Sequence, residues 1–165
     1  MASKSFVELN EIDQTTIEIS KDEIRRYIPQ RFEFEQLDGI FKVYRDEKII
    51  VGYRDVRNDE FWVRGHIPGM PLLPGVLMIE AAAQLCAVYQ NLVLPVDGFL
   101  GFGGIDGVKF RAAVHPGERL ILLGKGVQVS RRISFFDAQA VVGEKIVFEG
   151  RICGVAIAYR GRSST

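Results

Sequence analysis

Residues 61–89 read FWVRGHIPGMPLLPGVLMIEAAAQLCAVY, and this stretch decides the fold. Three prolines and three glycines lie between positions 65 and 75. That density excludes a regular helix or a central strand and predicts a loop. From Val76 onward the chain is rich in Leu, Met and Ala, and no helix breaker occurs before Pro95. The stretch therefore predicts an irregular loop that leads into one long helix.

The predicted helix is apolar on nearly every side, which is typical of a helix buried all round in a protein core. Two polar residues, Glu80 and Gln84, interrupt the apolar run. They are four positions apart and so share one face of the helix. A carboxylate in apolar surroundings costs free energy unless another group pairs with it or the protein uses it. Both residues are therefore candidate functional residues.

The start of this helix and the loop before it add further chemical groups. Backbone N–H groups in the first turn of a helix have no partner within the helix, and Gly75 has no side chain to keep a ligand oxygen away from its N–H. His66 lies just upstream, and histidine is the side chain best matched to proton transfer near neutral pH. A base, an N–H donor and a carboxylic acid suit removal of a proton next to a carbonyl and loss of a leaving group.

The string GHIPGMPLLPGVL at 65–77, followed by Glu80-Ala81 and Ala83-Gln84, resembles the signature of the 3-hydroxyacyl-[acyl carrier protein] dehydratases of fatty acid synthesis. The pattern is long and ungapped. The resemblance extends upstream to IPQRFEF at 28–34 and downstream to IDGVKFR at 105–111 and PGERL at 116–120. Together these segments cover roughly residues 28–158, which is most of the chain.

The remaining residues predict a sheet. Ser20 to Glu23 form a capping-box pattern that opens a short helix ending before Pro29. Alternating or β-branched segments predict strands, and residues 91–98 predict a loop. The predicted strands span 36–44, 49–56, 99–110, 119–131, 133–142 and 145–158. One long apolar helix with about five or six antiparallel strands requires an α+β fold in which the sheet covers the helix. The resemblance implies the hot-dog fold, with the sheet wrapped around the central helix.

Composition predicts a single domain over residues 1–165, with an N-terminal extension over 1–19 that is partly ordered or wraps the domain, and a frayed tail over 161–165. Hydrophobic residues make up 47% of the chain and the net charge is zero, so nothing indicates nucleic-acid binding or a membrane surface. No uninterrupted apolar run is long enough to cross a bilayer, and no targeting segment is evident, so we expect a cytoplasmic protein with no membrane insertion.

The two cysteines, Cys86 in the helix and Cys153 in a late strand, are expected to be free thiols in a reducing compartment. The two histidines are far apart and the cysteines form no C-x-x-C pair, so no metal site is predicted.

The resemblance implies dehydration of a (3R)-3-hydroxyacyl thioester to a trans-2-enoyl thioester. It also implies that the substrate arrives on the phosphopantetheine arm of acyl carrier protein and that no cofactor is needed. In the implied roles, His66 removes the α-proton, the Gly75 N–H binds the thioester carbonyl, and Glu80 protonates or positions the departing hydroxyl. The residues predicted to bind substrate are Ile67, Pro74, Val76 and Gln84.

The resemblance further implies a homodimer with sheets paired edge to edge, in which each active site takes its histidine from one subunit and its glutamate from the other. A hexamer built from three dimers is a common state of the family. Several basic residues could form a landing patch for the acidic carrier protein. These candidates are Lys109, Arg111, Arg131, Arg132 and Arg151.

Other residues of the matching segments have structural interpretations. His115 lies in a turn between strands and is expected to be structural, while Gln84 either bonds a loop carbonyl or holds the site. Arg31 is expected to be a buried structural partner. Asp106 is predicted to form a turn, Lys109 to pair with an opposite charge and Phe110 to pack in the core.

Several positions depart from the family's usual residues, and they bear on chain-length preference and pathway rather than on catalytic groups. These positions are Gln30, Glu33, Asp38-Gly39, Ile67 and Met70. Two alternative functions stay open: a hot-dog thioesterase, which would release free thiol, and a non-catalytic acyl-binding paralogue. The presence of His66, Gly75 and Glu80 argues against both.

Overall fold

The structure, a computed structural model, describes residues 4–160. The predicted tail over 161–165 and the first three residues of the predicted extension lie outside this part of the chain. The helices are α1 (Lys21–Ile24) and α2 (Gly75–Val93). The strands are β1 (Ile19–Ser20), β2 (Gly39–Tyr44), β3 (Ile49–Asp55), β4 (Phe99–Phe110), β5 (Arg119–Gln128), β6 (Ile133–Val142) and β7 (Lys145–Ile157).

The seven strands of the described chain form one antiparallel sheet in the order β1-β2-β3-β5-β6-β7-β4. Helix α2 follows β3 and packs against the inner face of β3, β5 and β6. The main core lies between them and contains Ile50, Leu85, Leu122 and Phe136, all without solvent exposure. The predicted α+β arrangement, a sheet wrapped around one long helix, is confirmed.

The outer face of the sheet carries a second apolar cluster, because successive strand residues point to opposite faces. Phe41, Val51 and Leu123 belong to it. Residues of the N-terminal extension cover this cluster: Phe6, Val7, Leu9 and Ile12. The side chain of Gln139 anchors the extension, since its Oε1 accepts from Phe6 N–H at 3.1 Å and its Nε2 donates to the Lys4 carbonyl at 3.0 Å. The described part of the predicted extension therefore wraps the domain.

The boundaries of three predicted elements were wrong by more than one residue. One of them is β5, which ends at Gln128 instead of residue 131. Strand β2 starts at Gly39 instead of residue 36, because the Gln36 N–H donates to the side chain of Gln84 and not to a neighbouring strand. Helix α2 continues to Val93, into the predicted loop 91–98. A carbonyl at the end of α2 receives a side-chain hydrogen bond, since Gln90 Nε2 donates to the Leu94 carbonyl at 2.6 Å.

Helix α1 is short and ends at Ile24, before Pro29, as predicted. The predicted capping box is confirmed: the Ser20 hydroxyl oxygen accepts from Glu23 N–H, and the Glu23 carboxylate accepts from Ser20 N–H at 2.8 Å.

Helix α2 is not buried on every side in the single chain, and that prediction was wrong. Val76 is 70% exposed, and Ile79, Glu80 and Ala83 are half-buried. These residues follow an i, i+3, i+4, i+7 pattern and form one stripe along the helix. In length and composition α2 would suffice to span a membrane, but more than half of it is buried inside this domain.

Candidate active site

The loop that carries His66 is held by its own backbone. The N–H groups of Gly65 and His66 both donate to the Trp62 carbonyl, at 3.1 and 2.8 Å. The Leu72 N–H donates to the His66 carbonyl at 2.9 Å, which closes the loop around Pro68 and Gly69. The peptide bond between His66 and Ile67 is cis. Because these bonds are local, the loop conformation is determined by the segment that contains the histidine.

One contact assigns the tautomer of the neutral His66 ring. Its Nδ1 lies 2.8 Å from the Leu72 carbonyl oxygen. A carbonyl can only accept a hydrogen bond, so Nδ1 must carry the proton. In the neutral ring the other nitrogen, Nε2, is then unprotonated and can accept a proton. The histidine is half-buried, and this tautomer is the one that its predicted role as a base requires.

The segment before β5 braces the same loop from outside. The Leu73 N–H donates to the Val114 carbonyl at 2.7 Å, and His115 Nδ1 lies 3.0 Å from the Pro71 carbonyl. The exposed His115 therefore supports the loop between His66 and α2, in agreement with its predicted structural role.

Gly75 is the first residue of α2, as the predicted N–H donor site requires. Within residues 4–160 no acceptor bonds its N–H. A Cβ at this position would lie 2.8 to 3.1 Å from atoms of the Phe110 ring. The prediction that Phe110 packs in the core was wrong, since its ring is 49% exposed and lies against Gly75 and Phe148. Gly75 therefore leaves room for an aromatic side chain as well as for a ligand.

Glu80 and Gln84 contact each other, as their spacing predicts. Gln84 Nε2 donates to Glu80 Oε1 at 2.8 Å and to the Phe34 carbonyl at 2.6 Å. Gln84 Oε1 accepts from the Gln36 N–H at 3.0 Å. Gln84 is 1% exposed and its amide is fully used by these bonds. Gln84 therefore bonds a loop carbonyl, one of the two roles weighed for it, and it also contacts Glu80. That it holds an active site stays a prediction.

Sequence reasoning missed a buried ion pair next to this glutamine. Arg54, which is 4% exposed, donates to the carboxylate of Glu60 and to the side chain of Gln36. Burial lowers the pKa of Arg54, and the nearby Glu60 carboxylate acts in the opposite direction. The sequence offered one weak signal, an arginine in a strand whose other residues are mostly apolar.

The other predicted site residues surround this region without forming a closed pocket. Within residues 4–160 no hydrogen bond or ion pair joins His66 to Glu80. Ile67 is 46% exposed, Val76 more so, and Pro74 is half-buried. His66 and Glu80 are therefore not bonded to each other within residues 4–160, and their roles as base and acid stay predictions.

Two further predictions concern residues outside this site. Arg31 is exposed and not buried as predicted, and it donates to the carbonyls of Arg25, Ile28 and Gln30. Lys109 pairs with Glu149 at 3.5 Å, so its predicted charge pairing is confirmed.

Asp106 stands within β4, next to an irregularity in the pairing with β7, and not in a turn. Both cysteines are free, as expected. Burial raises the pKa of the Cys86 thiol, so it is a poor nucleophile. In the described chain no group of three or more His, Cys, Asp or Glu side chains is placed to hold a metal ion.

A sheet wrapped around a central helix, with a histidine loop at the helix start and a carboxylate on the helix, defines a hot-dog protein built for acid–base chemistry. The dehydratase heterocomplex ApeI:P from Xenorhabdus doucetiae has the same fold, with a TM-score of 0.69 at 17% identity over 81% of this chain and 90% of that chain.

Residues 28–151 match the FabA-like domain. The 3-hydroxyacyl-[acyl-carrier-protein] dehydratase FabZ of Clostridioides difficile (strain 630) is 38% identical over 132 residues, which cover 79% of this chain and 92% of that protein. FabZ of Teredinibacter turnerae is 39% identical over 134 residues, which cover 79% of this chain and 91% of that protein. The chain belongs to the FabA-like family, and within it to the 3-hydroxyacyl-[acyl-carrier-protein] dehydratases.

Proposed function

We propose that this protein removes water from a (3R)-3-hydroxyacyl group carried on acyl carrier protein and gives the trans-2-enoyl product. The observation that carries the proposal is the His66 ring, whose Nδ1 is committed to the Leu72 carbonyl so that Nε2 is available as a base. The relatives support it, since both FabZ proteins are named for this reaction and this chain covers more than nine tenths of each.

In the proposed mechanism His66 Nε2 takes a proton from the α-carbon while the Gly75 N–H donates to the thioester carbonyl oxygen. The electron pair of the broken C–H bond moves onto the thioester oxygen, which the Gly75 N–H stabilises, and returns to form the double bond between the α- and β-carbons as the bond from the β-carbon to the hydroxyl breaks. Glu80 gives the departing oxygen the proton that makes it water, and the proton held by His66 restores the acid form of Glu80 before the next turnover. Substrate and product differ only by water, so the elimination needs no redox partner.

The active sites are proposed to form between two subunits, with His66 from one and Glu80 from the other. Three observations support this: no hydrogen bond or ion pair joins the two residues within residues 4–160, the half-exposed stripe of α2 includes Glu80, and β4 lies at the edge of the described sheet. β4 is 12 residues long, and in the described part of the chain it pairs only with β7. A long free edge readily pairs with a strand of another chain.

Mixing two inactive variants tests this arrangement. A dimer of one His66→Ala subunit and one Glu80→Gln subunit has one intact site if the sites are shared, and no intact site if they are not. Random mixing makes half of the dimers mixed, each with one site of two, so about a quarter of wild-type activity should return. Zero recovery after confirmed subunit exchange would contradict shared sites. Light scattering of the wild type then distinguishes a dimer from the hexamer that the family resemblance also allows.

Acyl carrier protein is the proposed partner, and a cytoplasmic location remains a prediction. Among the basic candidates for docking, Arg151 is paired with Asp137, and Lys109 and Arg111 share Glu149. The exposed Arg131 and Arg132, in the turn between β5 and β6, are therefore the better candidates for an acidic partner.

The activity is tested with 3-hydroxyacyl groups of several chain lengths on acyl carrier protein, following enoyl absorbance and free thiol together. We expect enoyl product without free thiol, and no reaction of the (3S) substrates. The length profile identifies the pathway, on which the departures at Ile67 and Met70 bear. Free thiol without enoyl product would replace the proposal by the thioesterase alternative. If neither enoyl product nor free thiol forms, the acyl-binding paralogue would be favoured.

A further inference from the structure

A chain of hydrogen bonds crosses the interior of the protein beneath the active site. Its centre is Arg54 on β3, which is buried and donates from one guanidinium nitrogen to Gln36 Oε1 and from another to Glu60 Oε2. Gln36 is itself held in place, since its Nε2 donates to the Glu33 carbonyl at 2.7 Å. The two branches from Arg54 lead towards the two catalytic residues.

The first branch reaches the acid. The Gln36 N–H donates to Gln84 Oε1, and Gln84 Nε2 donates to Glu80 Oε1. Because the Gln84 amide has one acceptor oxygen and two N–H donors, and all three are used, its plane is fixed by its partners. The orientation of the Glu80 carboxylate therefore depends on the position of Gln36, which Arg54 holds.

The second branch reaches the base. Glu60 Oε2 accepts from the Trp62 indole N–H at 2.9 Å, and Glu60 Oε1 accepts from the Arg57 N–H at 2.9 Å. The carbonyl of Trp62 in turn receives the N–H of His66. Glu60 therefore positions Trp62, whose carbonyl binds the His66 N–H.

A buried ion pair is a poor means of gaining stability, because desolvation of the charges offsets their attraction and an apolar pair could occupy the same space. The planar guanidinium, however, directs its N–H groups along fixed lines and can hold two acceptors in one geometry. We propose that Arg54 and Glu60 are positioning residues that orient Glu80 through Gln36 and Gln84, and His66 through Trp62, without touching the substrate. This inference rests on the function proposed above.

The test compares Arg54→Met with Arg119→Met. Arg119 on β5 is a matched control, because its guanidinium also forms a forked pair, with Asp55 at 2.7 and 2.9 Å, next to Arg54 in the chain. Within residues 4–160 the hydrogen bonds of the Arg119 side chain go to Asp55, which is in neither branch. Small errors in the placement of catalytic groups lower the rate strongly, so we expect kcat of Arg54→Met to fall about 10- to 100-fold with KM unchanged. For Arg119→Met we expect less than about a twofold change.

Arg54→Met leaves Glu60 buried without its partner, so this variant could fail to fold. Gln36→Met then decides the question, because it introduces no unpaired charge and keeps the backbone N–H that binds Gln84. It removes only the side chain that Arg54 holds. A folded Gln36→Met protein should also lose kcat at constant KM. Wild-type kcat in that variant would overturn the positioning role in the branch to Glu80.

A readout without substrate separates this inference from the proposed function. With selective ¹⁵N labelling of glutamine, the Gln84 side-chain amide should exchange slowly with solvent in the wild type and in Arg119→Met. It should exchange faster in Gln36→Met and Arg54→Met. If the wild type makes no enoyl product, the proposed function fails. The exchange rates alone then show whether Arg54 and Gln36 hold the Gln84 amide. If it does, and all four proteins show equal exchange rates and equal kcat, the inference fails and the function stands.

Discussion

The two halves of the candidate active site are built by opposite means. The His66 half is a short loop in which backbone groups bond to backbone groups a few residues away, with the Trp62 and His66 carbonyls as acceptors. The Glu80 half is held by side chains, since the Gln84 amide that contacts it is placed by Gln36, 48 positions earlier in the chain. One half is local and the other is long-range.

This difference teaches which substitutions each half tolerates. Backbone bonds survive most side-chain changes, so the loop should keep its shape when most surrounding side chains are altered, with the Glu60 carboxylate that binds the Trp62 indole as the exception proposed above. The Glu80 half has no such protection, because every link is a side chain or depends on one. Substitutions of the catalytic groups themselves should be severe in both halves. Substitutions of supporting side chains should matter more in the half that holds Glu80, because the His66 loop also has its own backbone bonds.

The largest expected effect is that of His66→Ala. Removal of a general acid or base costs about 10²–10⁴ in rate, and we expect the upper end here because the proton leaves carbon. The loop should stay folded, since the ring contributes only one of its hydrogen bonds. Enoyl formation measures kcat, and circular dichroism with light scattering checks the fold and assembly. A folded variant with near-wild-type turnover would contradict the role of His66.

Glu80→Gln should follow, with a loss of about 10²–10³ in kcat, because an amide cannot supply the proton for the departing hydroxyl. Glutamine keeps an oxygen that can accept from Gln84 Nε2, so the thermal midpoint should stay close to that of the wild type. The same assay and a thermal melt measure both quantities. A large fall in the midpoint with unchanged kcat would mean that Glu80 is structural.

Much of the fold was predictable because its signals are local. The breaker-rich loop, the apolar helix and the alternating strands each occupy one continuous segment, and all six predicted strands are present. The boundaries failed where distant residues take part. Gln36 is held outside the strand by a side chain of α2, and Gln90 near the end of α2 bonds Ser130 and Ser134 of the β5–β6 region. The two-residue β1 has too few residues for any periodicity.

The same division applies to the site. His66, Gly75 and Glu80 stood out because one segment carries them all, whereas Arg54 and Glu60 did not. In the sequence Arg54 is one charged residue of a predicted strand. The alternation pattern is equally compatible with an arginine on the solvent-exposed face. Only the folded chain shows that it is buried between two acceptors. Such partners cannot be read from spacing because the fold brings them together.

Gly75→Ala tests the junction between the two halves. Its Cβ would approach the Phe110 ring to 2.8 Å, so we expect a stability loss of about 1–3 kcal/mol by overpacking and about a tenfold lower kcat. Phe110→Ala on the same background removes the clash. The double variant should regain its thermal midpoint but not its full kcat, because the new methyl group still hinders approach to the Gly75 N–H. Full recovery of kcat would mean that Gly75 serves only to accommodate the ring.

His115→Ala should have the smallest effect and gives the sharpest test of the contrast. The variant loses the contact between His115 Nδ1 and the Pro71 carbonyl but keeps the neighbouring bond from the Leu73 N–H to the Val114 carbonyl. We expect a stability loss of about 0.5–1.5 kcal/mol and less than about a twofold change in kcat. A tenfold loss of kcat at an unchanged thermal midpoint would show that the loop also depends on a distant side chain. Both halves would then depend on distant side chains. Local bonding within the His66 loop would no longer explain why its motif can be recognised in the sequence.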